Sequence, residues 1–191
     1  MSSLHFAANE VAAALARGVR QCVLIGSRSL AREVVENCRE QEFHVFAVDE
    51  EQATDSAATF VPTEFANEAL STALQKSDFD KRKASLFVWL GGAGYRTVDA
   101  ALASFAFIAS LPKGSGIVFD YAAERTTPPS LSRTAMDALA SSITLAGGKI
   151  KYLIQPQAVT ALLDGLGFQK IVDLAQEGFP GGAGHLVSAV I

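Results

Sequence analysis

Along this chain, short apolar runs closed by Gly, Asp or Pro alternate with longer segments whose apolar residues recur every three to four positions. The first kind is the pattern of strands buried on both faces, the second that of helices laid on a sheet. A helix is predicted over Ala7–Ala16, ended by Gly18, and a first strand over Gln21–Ile25, ending in Gly26-Ser27-Arg28. Leu30, Val34, Val35 and Cys38 form one stripe of a helix over Leu30–Glu40. The second strand, Phe43–Val48, ends in Asp49-Glu50, and a short third, Thr59–Val61, leads into Pro62-Thr63-Glu64-Phe65. A helix over Asn67–Gln75 and a charged turn from Ser77 to Lys83 precede the fourth strand, Ala84–Leu90, which Gly91-Gly92-Ala93-Gly94 closes.

The next helix runs from Thr97 to Leu111, with Asp99 adding negative charge to its first turn, and Pro112-Lys113-Gly114 ends it. The fifth strand is Gly116–Tyr121; Ala122–Ser132, with Pro128-Pro129, reads as a loop. A helix is expected over Arg133–Ala146, stopped by Gly147-Gly148, then a short extended piece at Lys151–Ile154. Pro156 opens a last helix that runs to Leu166. Strands over Gln169–Ala175 and Leu186–Ile191, joined by the Gly-rich stretch Gly178–Gly184, form an antiparallel hairpin. Strand–helix repeats followed by a hairpin predict an α/β protein: a doubly wound, mostly parallel sheet with an antiparallel last strand, in one domain over residues 1–191.

Composition narrows the function. The chain is 49% hydrophobic, yet no apolar run reaches the roughly 18 residues of a membrane span, so the apolarity is assigned to sheet core and interface. A net charge of −4 without a basic stripe argues against nucleic acid. Cys22 and Cys38 form neither a disulfide framework nor a metal site, and no secretory signal opens the sequence; a cytoplasmic location is expected. His5, His44 and His185 lack metal-ligand spacing, and no Ser–His–Asp or Cys–His arrangement points to a hydrolase.

A glycine after the first strand and an acid after the second are brought side by side in a parallel pair, where nucleotide cofactors rest their ribose hydroxyls on the acid. Gly26 and Asp49, with Glu50 beside it, are the candidates; the plain alternatives are an ordinary turn and solvated acids. Arg28 departs from the glycine-rich pattern. It either crowds the cofactor, in a backbone position costly for a side chain, or holds an anion at the following helix. Glu64 is placed to accept from an adenine amino group or is a loop carboxylate. Gly91, Gly92 and Gly94 permit close backbone approach to a ligand. Tyr95 and Tyr121 stand at the mouth of the expected pocket, Trp89 in the core, and His44 in a structural position.

The order of elements resembles that of the Rossmann-like, class I S-adenosylmethionine-dependent methyltransferases. Within them, Phe87–Gly91, Tyr95-Arg96-Thr97 and Phe107–Tyr121 resemble the fourth strand, following helix and Asp-Tyr-ending fifth strand of the leucine carboxyl methyltransferase-like family. Gly18–Gly26 is similar to the lead into that family's glycine loop, and Leu162-Leu163 to Leu166-Gly167-Phe168 to its late helix and turn. Carried over by position, the resemblance implies cofactor contacts at Gly26, Ser27, Arg28, Asp49, Glu50, Glu64, Phe65, Leu90 and Gly91, and a substrate pocket at Tyr95 and Tyr121. In the glycine loop Gly26 and Arg32 match the family, while Arg28 replaces its second glycine and Leu30-Ala31 its Asp-Thr pair. The family's N-terminal Arg-Thr pair and longer N-terminal helical region have no counterpart.

The resemblance implies methyl transfer from S-adenosylmethionine to a small molecule or a carboxylate. Such transfer needs alignment more than acid–base machinery, because the methyl is already activated. The alternative is a catalytically inactive methyltransferase fold that serves as a binding or assembly module, which Arg28 favours. An NAD-binding protein fits less well, since the loop is poor in glycine. Uncovered apolar pocket walls call for a partner, and a homodimer is the simplest expectation.

Overall fold

The computed structural model describes residues 2–26, 33, 34, 36, 43–51, 58–64, 68–91, 98–123, 143–146, 149–176 and 183–191. Its elements are α1 (Ser3–Ala16), β1 (Gln21–Ile25), β2 (His44–Asp49), β3 (Thr59–Pro62), α2 (Leu70–Gln75), β4 (Ser85–Trp89) and α3 (Val98–Ala109). There follow β5 (Gly116–Ala123), β6 (Ile143–Ala146), β7 (Lys149–Ile154), α4 (Pro156–Gly165), β8 (Gln169–Gln176) and β9 (Ala183–Val190).

β1 lies inside the sheet, parallel to β2 on one edge (Ile25↔Val48) and to β4 on the other (Ile25↔Trp89). β3 extends the parallel sheet beyond β2, and β5 beyond β4. β9 then runs antiparallel along β5, from Gly116↔Val190 to Ala123↔Ala183, and β8 runs antiparallel to β9. The resulting order, β3-β2-β1-β4-β5-β9-β8, is the doubly wound sheet with a reversed strand that the pattern predicts.

Both faces of the sheet are covered. Val23, Ile25, Phe46, Val48, Phe87 and Trp89 face α2, α3 and α4, which contribute Leu74, Phe105, Ile108 and Leu163 to one core cluster. Cys22, Leu24, Val45, Leu86 and Val88 face α1, which contributes Phe6, Ala7, Val11 and Ala14 to the other. Double coverage is why β1 and β4 are buried at every position and read as continuous apolar runs. Gln21, the polar start of β1, is 4% exposed but satisfied: its amide donates to the Asp80 carbonyl and Ser85 Oγ, and accepts from the Asp80 N–H.

Among the described residues the sheet differs from expectation at β6 and at the end of β5. Ile143–Ala146, expected as the end of a helix, is strand β6, paired antiparallel with β7 from Ile143↔Tyr152 to Ala146↔Lys149. Gly147-Gly148 serves both as a helix stop and as a hairpin signal, and the β-branched Ile143 and Thr144 favour the hairpin. β5 also runs two residues past its predicted end, because β7 pairs there in parallel (Ala122↔Leu153, Ala123↔Ile154). Ala122 pairs with Gly184 of β9 as well, so β7 takes the opposite edge of β5, in the lane that β4 vacates after Trp89↔Phe119. The predicted helix over Leu30–Glu40 is described only at residues 33, 34 and 36, which are helical, with Val34 buried against the α1 face.

One glycine is fixed by close approach. A Cβ on Gly116 would stand 2.7 Å from the Ala189 carbonyl oxygen of the neighbouring strand. Gly116→Ala is expected to cost about 1–3 kcal/mol by forcing β5 and β9 apart. In urea unfolding the midpoint should fall with an unchanged slope.

Candidate functional site

The register that pairs Ile25 with Val48 and Trp89 sets Gly26, Asp49 and Leu90 level at the carboxyl ends of three adjacent strands. The Gly26 N–H extends the ladder to the Val48 carbonyl at 3.0 Å, and its φ of +62° then turns the chain off the sheet. That left-handed backbone is open to glycine at no steric cost. Asp49 is half-buried; its Oδ1 accepts the Glu50 N–H at 2.7 Å, and its carbonyl accepts from Thr63 at 3.2 Å, which ties the end of β2 to the turn after β3. Glu50 is exposed, and so is Glu64 after the buried Thr63.

After β4, Leu90 is buried and Gly91, at φ +82°, is exposed. The Gly91 N–H donates to Asp120 Oδ1 at 2.7 Å, so the end of β5 holds the turn after β4. Asp120 is a positioning residue that sequence reasoning did not single out, although an acid closing a strand beside a glycine turn was the signal. Trp89 is in the core as expected, 6.0 Å from the Phe105 ring. His44 stacks on Phe46 and lies 3.0 Å from Thr59 Oγ1, at the far end of β2 from the glycine turns. Ser27, Arg28, Phe65 and Tyr95 lie outside the described residues.

Tyr121, the remaining predicted residue, is only 5% exposed and does not stand alone. Its hydroxyl donates to Asp173 Oδ2 at 2.6 Å, and Asp173 Oδ1 is 2.6 Å from His185 Nδ1. The Tyr121 and His185 rings stack at 5.1 Å. Neighbouring positions of β5, β8 and β9 therefore converge on one carboxylate. A backbone irregularity makes this possible. Between Gln169↔Val190 and Val172↔Ser188, β8 uses one residue more than β9, and Lys170 sits there at φ +48°. The bulge reverses the facing of the rest of β8. Asp173, paired with Val187, turns to the face of α2, α3 and α4, while Val172 and Leu174 turn to the α1 face, where they are exposed. Without it, Val172 would face inward and Asp173 outward. Sequence reading missed Asp173 and His185, because the bulge that brings them together has no local signature.

Burial first, then the hydrogen bond to Asp173 and its negative charge, hold the Tyr121 phenol well above its ordinary range. In the unfolded chain the phenol ionises near its ordinary value of 10.0. A raised folded value means that the stabilisation is complete below that pH and is lost as pH climbs beyond it. Tyr121→Phe is expected to flatten the alkaline fall of stability, measured by urea unfolding from neutral pH upward.

A surface cavity of about 570 Å³, lined by Arg20, Gln21, Phe43, His44, Asp78, Asp80 and Lys83, lies at the amino ends of β1 and β2, opposite the glycine turns. Its rim mixes both charges, and Arg82 holds Asp80 down to about 2 through a side-chain hydrogen bond. Among the described residues no His, Cys, Asp and Glu cluster is arranged to hold a metal, and no helix is long and apolar enough to cross a membrane.

No protein-family model and no curated protein matches the chain. Solved structures do. The 1,6-didemethyltoxoflavin-N1-methyltransferase of Burkholderia thailandensis, solved with 1,6-didemethyltoxoflavin and S-adenosylhomocysteine, superposes with a TM-score of 0.63 at 13% identity, over 99% of this chain and 78% of that one. The fold is that of the class I S-adenosylmethionine-dependent methyltransferases. A methyltransferase of Archaeoglobus fulgidus gives 0.57 at 12% identity, over 98% and 94% of the two chains. Magnesium protoporphyrin IX methyltransferase of Synechocystis, with bound SAM, gives 0.55 at 14%, over 98% and 78%. At these identities the likeness is one of fold. The finer resemblance to the leucine carboxyl methyltransferase-like family rests on the sequence motifs alone.

Proposed function

We propose that the protein is an S-adenosylmethionine-dependent methyltransferase acting on a small molecule. The observation that carries this is the level placement of Gly26, at φ +62°, Asp49 and the Gly91 turn on adjacent strands of this fold. The turn at Gly26 has no side chain to obstruct a ligand, and in this reading the Asp49 carboxylate takes the cofactor's ribose hydroxyls. In this reading Glu64, after β3, meets the adenine, and Leu90 and Gly91 complete the cofactor contacts. S-adenosylmethionine supplies an activated methyl; the chain's part is to bind, orient and keep water away.

The test is calorimetric titration with S-adenosylmethionine and S-adenosylhomocysteine. Micromolar binding is expected. No heat at millimolar ligand, from a protein shown to be folded, would instead sink the methyltransferase reading and leave the second, a catalytically inactive binding or assembly module. A homodimer in a reducing, cytoplasmic setting completes the proposal. Its support is the exposed apolar set Leu4, Val172 and Leu174. The bulge turns the last two to the α1 face, where Ser3 Oγ donates to Gln176 Oε1 at 3.3 Å. Light scattering should give twice the chain mass, falling toward one in Val172→Asp/Leu174→Asp.

A further inference from the structure

The group of Tyr121, Asp173 and His185 has a chemistry that fold and packing leave unused. Asp173 receives both the Tyr121 hydroxyl and, at 2.6 Å, His185 Nδ1. With Nδ1 as the donor, Nε2 of the neutral ring is an unprotonated acceptor. The two nitrogens lie on opposite sides of the ring, so Nε2 points away from Asp173, and no hydrogen bond fills it among the described residues. The imidazole is not sealed in: its side chain is 14% exposed, and that of Asp173 15%. This is an oriented base whose positive form, once made, is held by a carboxylate.

Its place matters. Tyr121↔His185 lies two positions beyond the Trp89↔Phe119 pair, level with Gly91. Strands are about 4.8 Å apart, so β9 stands roughly 10 Å along the sheet from the end of β4, on the side away from Asp49. Asp49 and His185 therefore stand on strands to either side of the turn at Gly91. The bulge that turns Asp173 inward keeps Lys170 in a left-handed backbone, at a cost of about 1–2 kcal/mol, and leaves Val172 and Leu174 exposed. Strain held in order to direct one carboxylate is the kind that gathers at functional sites.

We propose that His185, oriented by Asp173 and Tyr121, is the proton acceptor of the methyl transfer, and that the methyl acceptor is a hydroxyl, above all a phenol. This rests on the methyltransferase reading and narrows its substrate. A carboxylate is already ionised at neutral pH and needs no base; a hydroxyl does. In the step, the acceptor O–H bond breaks and its proton passes to Nε2. The oxygen pair forms the O–CH₃ bond, and the S–CH₃ pair returns to sulfur, ending its positive charge. The products are a methyl ether, S-adenosylhomocysteine and an imidazolium, which then gives its proton to water.

Among the described residues, the titratable groups that face His185 are Tyr121 from β5 and Asp173 from β8. α4, the helix packed on β8, turns Val159, Leu162 and Leu163 inward. The experiment measures labelled methyl transfer from S-adenosylmethionine to matched sets of phenols, primary amines and carboxylic acids. The full chain, His185→Gln and Asp173→Asn are compared, each first checked for fold by circular dichroism and for cofactor binding by calorimetry. Failure of the full chain to bind cofactor would strike the methyltransferase reading. Given binding, the expected result is label in the phenols alone. In His185→Gln the rate of labelling should fall about 100-fold or more at unchanged cofactor affinity. In Asp173→Asn kcat should fall with little change in KM for the phenol, since the imidazole loses the carboxylate that orients it. Label in carboxylic acids or amines, an undiminished rate in His185→Gln, or no label in any set from a chain that binds cofactor would overturn it.

Discussion

Asp49→Ala is expected to weaken S-adenosylmethionine binding about 100-fold or more, with little change in the melting temperature. A hydrogen bond to an ionised group contributes about 1.5–3 kcal/mol, and two ribose hydroxyls reach one carboxylate. Each 1.4 kcal/mol is about tenfold in affinity. The fold should tolerate the change, because Asp49 is only half-buried and its backbone carbonyl, not its side chain, accepts the Thr63 N–H. Asp49→Asn, which keeps one acceptor oxygen, should fall between the two. Calorimetry with S-adenosylhomocysteine measures the loss, and an Asp49→Ala chain that binds like the parent would remove the carboxylate from the site.

Asp173→Ala should give the largest loss of stability among the polar residues, about 2–4 kcal/mol. It orphans two donors at once, the Tyr121 hydroxyl and the His185 Nδ1–H, in surroundings where neither is more than 14% exposed. Each buried, unsatisfied group costs about 1–3 kcal/mol. For a chain of 191 residues the melting temperature should drop by about 4–16 °C. β8 is an edge strand, and the carboxylate ties it to β9 and, across β9, to β5. Hydrogen exchange should therefore rise first in β8. In the Tyr121→Phe background the same substitution should cost less, because one donor is already gone. An additive pair would mean that the two groups do not share Asp173 in solution.

Much of the site was legible because its parts are local. Gly26 and Asp49 each end an apolar run, and the helical stretch between them forces a parallel pair, so their meeting follows from right-handed crossover alone. Gly91 was legible as the glycine that closes a strand. Its tether to Asp120 was not, since it joins residues 29 apart in sequence. Arg133–Ala146 reads as a helix stopped by Gly147-Gly148, yet its described end, Ile143–Ala146, pairs with β7, because a hairpin partner outweighs weak helical propensity.

By itself, then, the amino-acid order determined the class of fold, the burial of β1 and β4 on both faces, the reversed last strand and the two glycine turns. Each of these follows from periodicity and from backbone permissions that act within a few residues. Only the tertiary structure decided which residues of β8 face inward. One extra residue at Lys170 exchanges the two faces of a strand, and alternation in the sequence reads the same whichever face is buried. The junction of Tyr121, Asp173 and His185 depends on that choice, and so does the apolar pair left on the other side.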